Sequence, residues 1–310
     1  MRMSYRLSRL LLLLLCLLPA ALPAGPLYVA TIEPLGSVLR EMVAGRGRVE
    51  VLLAPGQSPH VFDPRPSHAR RLAAATAFFY AADSVEPWAE RLNAKHSIEL
   101  LGFLPEPFRL PLSGAACEHG QDQDHGHAHA HDHGHDSEWD GHWWLDPLAV
   151  EALLPPLAER LAELDPEGAA VYRANAARYG AQLQLLDAEL SAILAPVAGR
   201  EVVTQHAAFG YLLHRYGLKD GGVMALVAGQ EPTPGHLREL AEGLKARGVR
   251  AVFTEPQLSA RPAQVLAEVA GIPVHELDPE GARPGRASLA ELLRYNANTL
   301  AEALADPKPE

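Results

Sequence analysis

The chain has only two cysteines, Cys16 and Cys117, and neither can staple the fold. Cys16 lies in an apolar leader expected to be removed, and Cys117 is then left without a partner, so no intramolecular disulfide is available. Stability must come from a buried core. About 285 residues remain after the leader, and with 48% hydrophobic composition over the whole chain that is enough for two lobes of ordinary domain size. Positive charge is also scarce: 27 Lys and Arg stand against 38 Asp and Glu, a formal net charge of −11. No basic face forms, which argues against nucleic acid or an anionic membrane as partner and favours a cationic ligand. There is no Walker A pattern, so nothing here hydrolyses nucleotide, and no HExxH pair of a helix-borne zinc hydrolase. The longest apolar run, Leu10 to Leu18, is well short of the roughly 20 residues that cross a bilayer.

The opening "MRMSYRLSRLLLLLLCLLPAALPAG" has three arginines, a Leu-rich centre and a Pro/Ala end, the pattern of an export signal over residues 1–24 with cleavage near Ala24. Cys16 lacks the small residues expected ahead of a lipid-modified cysteine. Loss of Arg2, Arg6 and Arg9 makes the mature chain three charges more negative. It is expected to be soluble, with no direct membrane insertion.

Short apolar runs alternate with helical patterns along the rest, predicting an α/β fold with parallel sheets covered on both faces. Strands are expected at "LYVAT" from Leu27, "VEVLL" from Val49, "AFFY" from Ala77, "SIELLG" from Ser97, "EVVTQ" from Glu201, "VMALV" from Val223, "AVFTE" from Ala251 and "PVHEL" from Pro273. Helical patterns fall at 35–44, 67–75, 87–95, 208–216, 234–246, 262–270 and 288–304. The alternation breaks once, between Pro147 and Leu194, where two helices flank "LDPEG", with Asp165 as a cap and Pro166 in the first turn. The second covers about 29 residues, roughly 44 Å at 1.5 Å per residue, long enough to be a stiff strut between two halves. The domain reading is an N-terminal lobe over 25–146 containing a His-rich loop at 117–140, a helical connector over 147–195, and a C-terminal lobe over 196–310.

Histidine is the residue the chain has in excess. The first twenty-six residues of the stretch "CEHGQDQDHGHAHAHDHGHDSEWDGHWWLDP" hold eight of the fifteen histidines and seven carboxylates. A run of His, Asp, Gly and Gln has nothing to bury and is expected to stay a mobile loop. Its imidazoles (His119, His125, His127, His129, His131, His133 and His135) can form transient chelates, weaker than a preformed pocket. Outside the run, His60 sits in the Pro/Gly-rich loop after the second strand and His206 closes "EVVTQH". His142 stands where ordered sequence resumes, and Asp278 ends the last strand. Loops after strand ends are where open α/β sheets bind ligands, and three imidazoles with an oxygen suit tetrahedral Zn²⁺. His68, His96, His214, His236 and His275 read as hydrogen-bonded or surface residues, and Trp143 and Trp144 as packing beneath the site.

The phrases "GQSPHVFDPRPS", "HWWLDP", "TQHAAFGYLLHRYGL", "EPTPGHLREL", "AVFTEPQ" and "LDPEG" follow in order across nearly the whole mature chain, which on them resembles the periplasmic zinc-binding proteins of ABC importers, the metal-cation branch of solute-binding proteins. The resemblance implies two Rossmann-like lobes joined by one long rigid helix, a periplasmic location and a monomer. It implies no enzyme activity, a Zn²⁺ ligand, and an ABC permease with its ATPase as partners. Carried over by motif, it makes His60, His142 and His206 metal ligands and Asp278 the candidate fourth. Glu255 becomes a carboxylate that orients a ligating imidazole or lines the cleft. Two departures stand out: Pro59 precedes His60 where an acid could have served, and the family's cysteine pair in the C-terminal lobe is missing. An exported zinc hydrolase, or a zinc buffer without a transporter, would use the same ligands.

Overall fold

The computed structural model describes residues 25–112, 138–225, 232–281 and 283–306. The predicted His-rich imidazoles from His119 to His135 lie outside them. The first lobe contains β1 (Leu27–Ala30), α1 (Glu33–Val43), β2 (Arg48–Val51), α2 (Pro66–Leu72), β3 (Ala77–Tyr80) and β4 (Ser97–Glu99). Next come two long helices, α3 (Pro147–Leu164) and α4 (Ala169–Leu194). The second lobe runs β5 (Glu201–Thr204), α5 (Gly210–Arg215), β6 (Lys219–Val223), α6 (Pro234–Arg247), β7 (Val252–Thr254), α7 (Arg261–Ala270) and β8 (Val274–Glu276), and α8 (Leu289–Leu304) closes it. Each lobe carries a parallel four-stranded sheet, ordered β2-β1-β3-β4 and β6-β5-β7-β8. The α/β, two-lobe expectation therefore holds. Because every strand in a sheet runs the same way, all loops leaving the strands' C-terminal ends gather on one side.

Buried strands such as "AFFY", with no exposed residue, explain why these segments read as continuous apolar runs rather than alternations. Most residues of the core belong to one cluster that draws from both sheets, α3, α4 and α8. A smaller cluster, including Val203, Met224, Leu244, Val252 and Leu266, lies under α6 and α7.

Three sequence expectations are corrected. The pattern at 87–95 forms only a 3-10 turn, Glu90–Leu92, which ends at Asn93 in the left-handed region (φ 48°). Trp88 is committed elsewhere: its indole donates to the Pro59 carbonyl at 2.7 Å. The sixth strand forms at Lys219–Val223 and not from Val223 onward. It is an edge strand with a register shift against β5 between Val202 and Thr204, and it does not need an apolar face. Gly222 takes φ 115° there, which explains why a Gly pair sits in a strand. Finally, Asp165 does not cap the long helix. Its carboxylate accepts both Arg46 nitrogens at 2.6 Å and the Tyr172 hydroxyl at 2.6 Å, while Pro166 opens a 3-10 turn ahead of α4. The α4 helix itself spans 26 residues, about 39 Å at 1.5 Å per residue. Among the described residues no helix is long and apolar enough to cross a membrane.

One buried acid lies where β1 and β3 end. Glu86, fully buried, accepts the Thr31 hydroxyl at 2.5 Å and the amides of Ala81 and Ala82 at 3.1 and 3.2 Å. Burial outweighs these bonds and pushes its carboxyl up to about 7. The folded state thus binds this proton more tightly than the unfolded chain, so its stabilising contribution is present at pH 4.5 and is lost as pH rises through 7. Glu86→Gln, neutral and of the same shape, should be no less stable than wild type near pH 5 and more stable by about 1–3 kcal/mol at pH 8. Denaturant unfolding of the metal-free proteins at both values measures this; a pH-independent difference contradicts the assignment.

Candidate metal centre

The turn that carries His60, Pro59–Val61, follows β2 and is fixed from two directions. Trp88 holds the Pro59 carbonyl, and the Phe62 ring packs on Trp88 at 4.7 Å between centroids. His142 follows the buried Asp140 and Gly141, and precedes the 3-10 turn Trp143–Leu145. His206 leaves β5 by two residues, and Gln205 beside it accepts from the Thr254 hydroxyl and the Glu255 amide at the end of β7, at 2.9 and 3.1 Å. Strand ends from both lobes thus deliver one histidine each, and the segment before α3 delivers the third.

The three imidazoles meet. One ligand atom from each of His60, His142 and His206 lies within 4.8 Å of the other two, the single such group of His, Cys, Asp or Glu among the described residues. The His60 and His142 Nε2 atoms are 3.2 Å apart, and the ring centroids are 5.2 to 5.5 Å apart. His206 Nε2 is buried with no hydrogen-bond partner. A buried nitrogen normally has one, so an acceptor aimed into a cleft beside two other imidazoles fits a cation that would share all three lone pairs.

What aims them is the same device twice. Asp140 Oδ1 accepts both the backbone N–H of His142 at 2.9 Å and its ring Nδ1 at 2.7 Å. Glu255 Oε1 accepts both the backbone N–H of His206 at 3.2 Å and its ring Nδ1 at 2.7 Å. Each carboxylate keeps the proton on Nδ1 and leaves Nε2 with its lone pair inward. The Ser84 backbone hydrogen-bonds the His60 ring. His60 is held well below the usual histidine range, first by desolvation of the ring and then by His142 and His206, with Ser84 opposing. That keeps it neutral, the form that ligates.

Asp278 is not brought to this group. Its Oδ1 accepts from Gln257 Nε2 at 3.0 Å and from the amides of Glu280 and Gly281 at 3.0 and 2.9 Å, and its Oδ2 pairs with Arg286 at 3.2 Å. Asp278, expected as the fourth ligand, thus closes a turn and pairs with an arginine, and it is not one of the three converging side chains. Two residues on, Glu280 is buried, and its carboxyl is raised well above the normal range by desolvation and by the charges of Glu255, Asp278 and Glu86. Sequence reading missed Glu280 and Asp140. Both stood in quoted phrases, "LDPEG" and "WDGHWW", but Asp140 was counted into the repetitive run. In the structure the last residues of the expected loop 117–140, 138–140, pair with 110–112.

Trp143 and Trp144 are fully buried, and Trp144 lies beside His142 at 5.3 Å and donates to the Pro279 carbonyl at 2.7 Å. His214 and His236 are exposed. His68 accepts the Arg65 amide at the start of α2, a structural role, and His96 and His275 keep partial exposure outside the group.

Comparison with known proteins agrees in fold and in kind. Residues 29–303 match the family described as zinc-uptake complex component A, periplasmic. A high-affinity zinc uptake system protein, ZnuA, of Paracoccus denitrificans is 35% identical over 92% of this chain and 94% of its own length. The protein of the same description from Brucella abortus is 31% identical over 89% and 91%. Among solved structures, a zinc-bound deletion variant of ZnuA superposes with TM-score 0.74 at 27% identity, covering 91% of this chain and 99% of that one. These relatives are binding proteins of metal uptake and not enzymes. A match over most of the sequence, a relative above 30% identity across nine-tenths of the chain and a shared two-lobe α/β architecture place this protein in the periplasmic zinc-uptake component A family.

Proposed function

We propose that this chain is the periplasmic solute-binding protein of a zinc ABC importer, taking one Zn²⁺ between its lobes on His60, His142 and His206 and presenting it to a membrane permease powered by a separate ATPase. The observation that carries this reading is the convergence of three imidazoles with their Nδ1 atoms tied back and a buried, partnerless Nε2 on His206. The export signal over 1–24 and the acidic net charge fit a protein that collects a cation outside the cytoplasmic membrane.

Neutral borderline nitrogens select Zn²⁺ over Mn²⁺ and Mg²⁺, which prefer oxygen. The fourth position is left to an oxygen. Asp278 is engaged elsewhere, so Glu280, or a water molecule that Glu280 holds, is the candidate. Arrival of a dication next to that carboxyl favours its ionised form, so loading releases a proton there. The histidines from His119 to His135 collect or buffer zinc near the cleft and pass it on.

Competitive titration of a protein lacking residues 113–137, with Zn²⁺, Mn²⁺, Ni²⁺ and Cu²⁺ read by native mass spectrometry, tests the reading. One Zn²⁺ per chain is expected, bound far more tightly than Mn²⁺. His60→Ala, His142→Ala or His206→Ala should each remove tight binding, while Asp140→Ala or Glu255→Ala should weaken it about 10- to 100-fold. Asp278→Asn should act on stability more than on zinc. Tight binding that survives loss of any one of the three histidines contradicts the site.

Protons compete with zinc for imidazole, so affinity must fall on acidification. Because His60 is held below the ordinary histidine range, its share of the competition enters only at lower pH than an exposed histidine would show. Isothermal titration from pH 8 to 5 should show affinity declining, with proton uptake on release; a flat profile would argue for an oxygen-based site.

A further inference from the structure

The chain enters and leaves the segment 113–137 through a short antiparallel ribbon. Pro111 pairs with Trp139, Leu112 N donates to the Glu138 carbonyl at 3.2 Å, and Asp140 N donates to the Leu110 carbonyl at 2.8 Å. This ribbon is attached to both lobes. On the side of the first lobe, Ser84 Oγ donates to the Trp139 carbonyl at 3.3 Å. Gly141 lies so close that a Cβ there would stand 2.6 Å from Val85 Cγ2 and 2.7 Å from Ser84 Oγ. On the side of the second lobe, Leu110 N donates to the hydroxyl of Tyr211, a residue of α5 that is 101 positions away, at 3.1 Å. Beside that bond a cleft of about 280 Å³ separates the ribbon from the second lobe, lined by Leu110, Pro111, Asp140, Thr204, Phe209 and Leu213 among others. Packing is incomplete there, and the Tyr211 bond is a direct polar tie across it.

A continuous line of hydrogen bonds results. The Tyr211 oxygen accepts from Leu110 N, Leu110 O accepts from Asp140 N, and Asp140 Oδ1 accepts from both nitrogens of His142 that do not face the cleft. Leu110 spends its two backbone groups on opposite ends of the line. We propose that Tyr211 is a positioning residue for the metal centre: from the second lobe, through the ribbon and Asp140, it sets the orientation of His142. The inference rests on the zinc-binding reading above and deepens it. It makes the root of the His-rich segment part of the scaffold of the site, and it makes the geometry of one ligand depend on the two lobes being together. Separation of Tyr211 from Leu110 lets the ribbon shift into the adjacent cleft, swings Asp140, and turns the His142 lone pair away from the shared centre. Release of the cation is then coupled to opening.

The test uses full-length mature protein loaded with Zn²⁺ and a chromophoric chelator chase. Tyr211→Phe removes only the hydroxyl and leaves the buried ring. It should release zinc about five- to tenfold faster, the range expected for one lost hydrogen bond. Tyr216→Phe, which removes a hydroxyl that bonds Asp187 at the other end of the same helix, should release at the wild-type rate. In a double-mutant cycle, Tyr211→Phe on top of Asp140→Ala should add little, because the line is already cut. Should Tyr211→Phe fail to fold, hydrogen exchange of the Leu110 and Asp140 amides in the wild type keeps the proposal testable: slower exchange with Zn²⁺ bound is expected, and equal exchange with and without Zn²⁺ overturns it. A wild-type release rate for Tyr211→Phe, or effects that simply add to those of Asp140→Ala, overturns the proposal while the zinc-binding reading stands. Failure of the wild-type protein to take up zinc at all overturns the reading itself.

Discussion

An imidazole that is to hold a cation must be told which nitrogen keeps its proton, and the arrangement around the cleft follows from that requirement. Asp140 and Glu255 each grip one histidine at two points, the ring Nδ1 and the amide of the same residue, so tautomer and backbone position are fixed together. A single contact would leave the ring free to turn about its side-chain bonds. Burying two carboxylates this way is costly unless they are fully used. Glu255 keeps its other oxygen buried with no hydrogen-bond partner.

The fold supplies the convergence. Two parallel sheets present their strand ends on one side each, and the lobes meet with those sides facing. His60 lies in the loop that leaves β2, an edge strand of the first lobe, and His206 follows β5, an inner strand of the second, by two residues. The segment from Asp140 to Trp144 belongs to neither loop set. It is bonded to the first lobe through Trp143 and the Ala81 carbonyl, and to the second through Trp144 and the Pro279 carbonyl. The third ligand therefore sits on the seam itself.

Much of this was legible from residues alone. Parallel α/β lobes followed from strand-helix alternation, and the three histidines followed from their places after strands and from motif resemblance. What could not be read was the fate of carboxylates. Asp278 and Glu280 are two residues apart in one phrase, and only the turn geometry, with three donors converging on Asp278 Oδ1, shows that the first is consumed by the backbone. Asp140 was hidden by composition, being the last acid of a repetitive run, although it is nearly fully buried. The pattern at 87–95 was helical in periodicity, but Trp88 is drawn to Pro59 and Asn93 turns the chain into the left-handed region. Tertiary contacts decided each of these, and no local window contains them.

The core is unequally divided. One apolar cluster runs through both sheets and the long helices, while α6 and α7 cover a small cluster of their own. The larger cluster ties most of the core into one packed unit, and the outer pair of helices rests on fewer buried apolar side chains, the condition under which local opening costs least. A cation gripped at the metal centre, whose ligands lie outside that small cluster, stabilises the helix pair only as far as the two clusters are coupled.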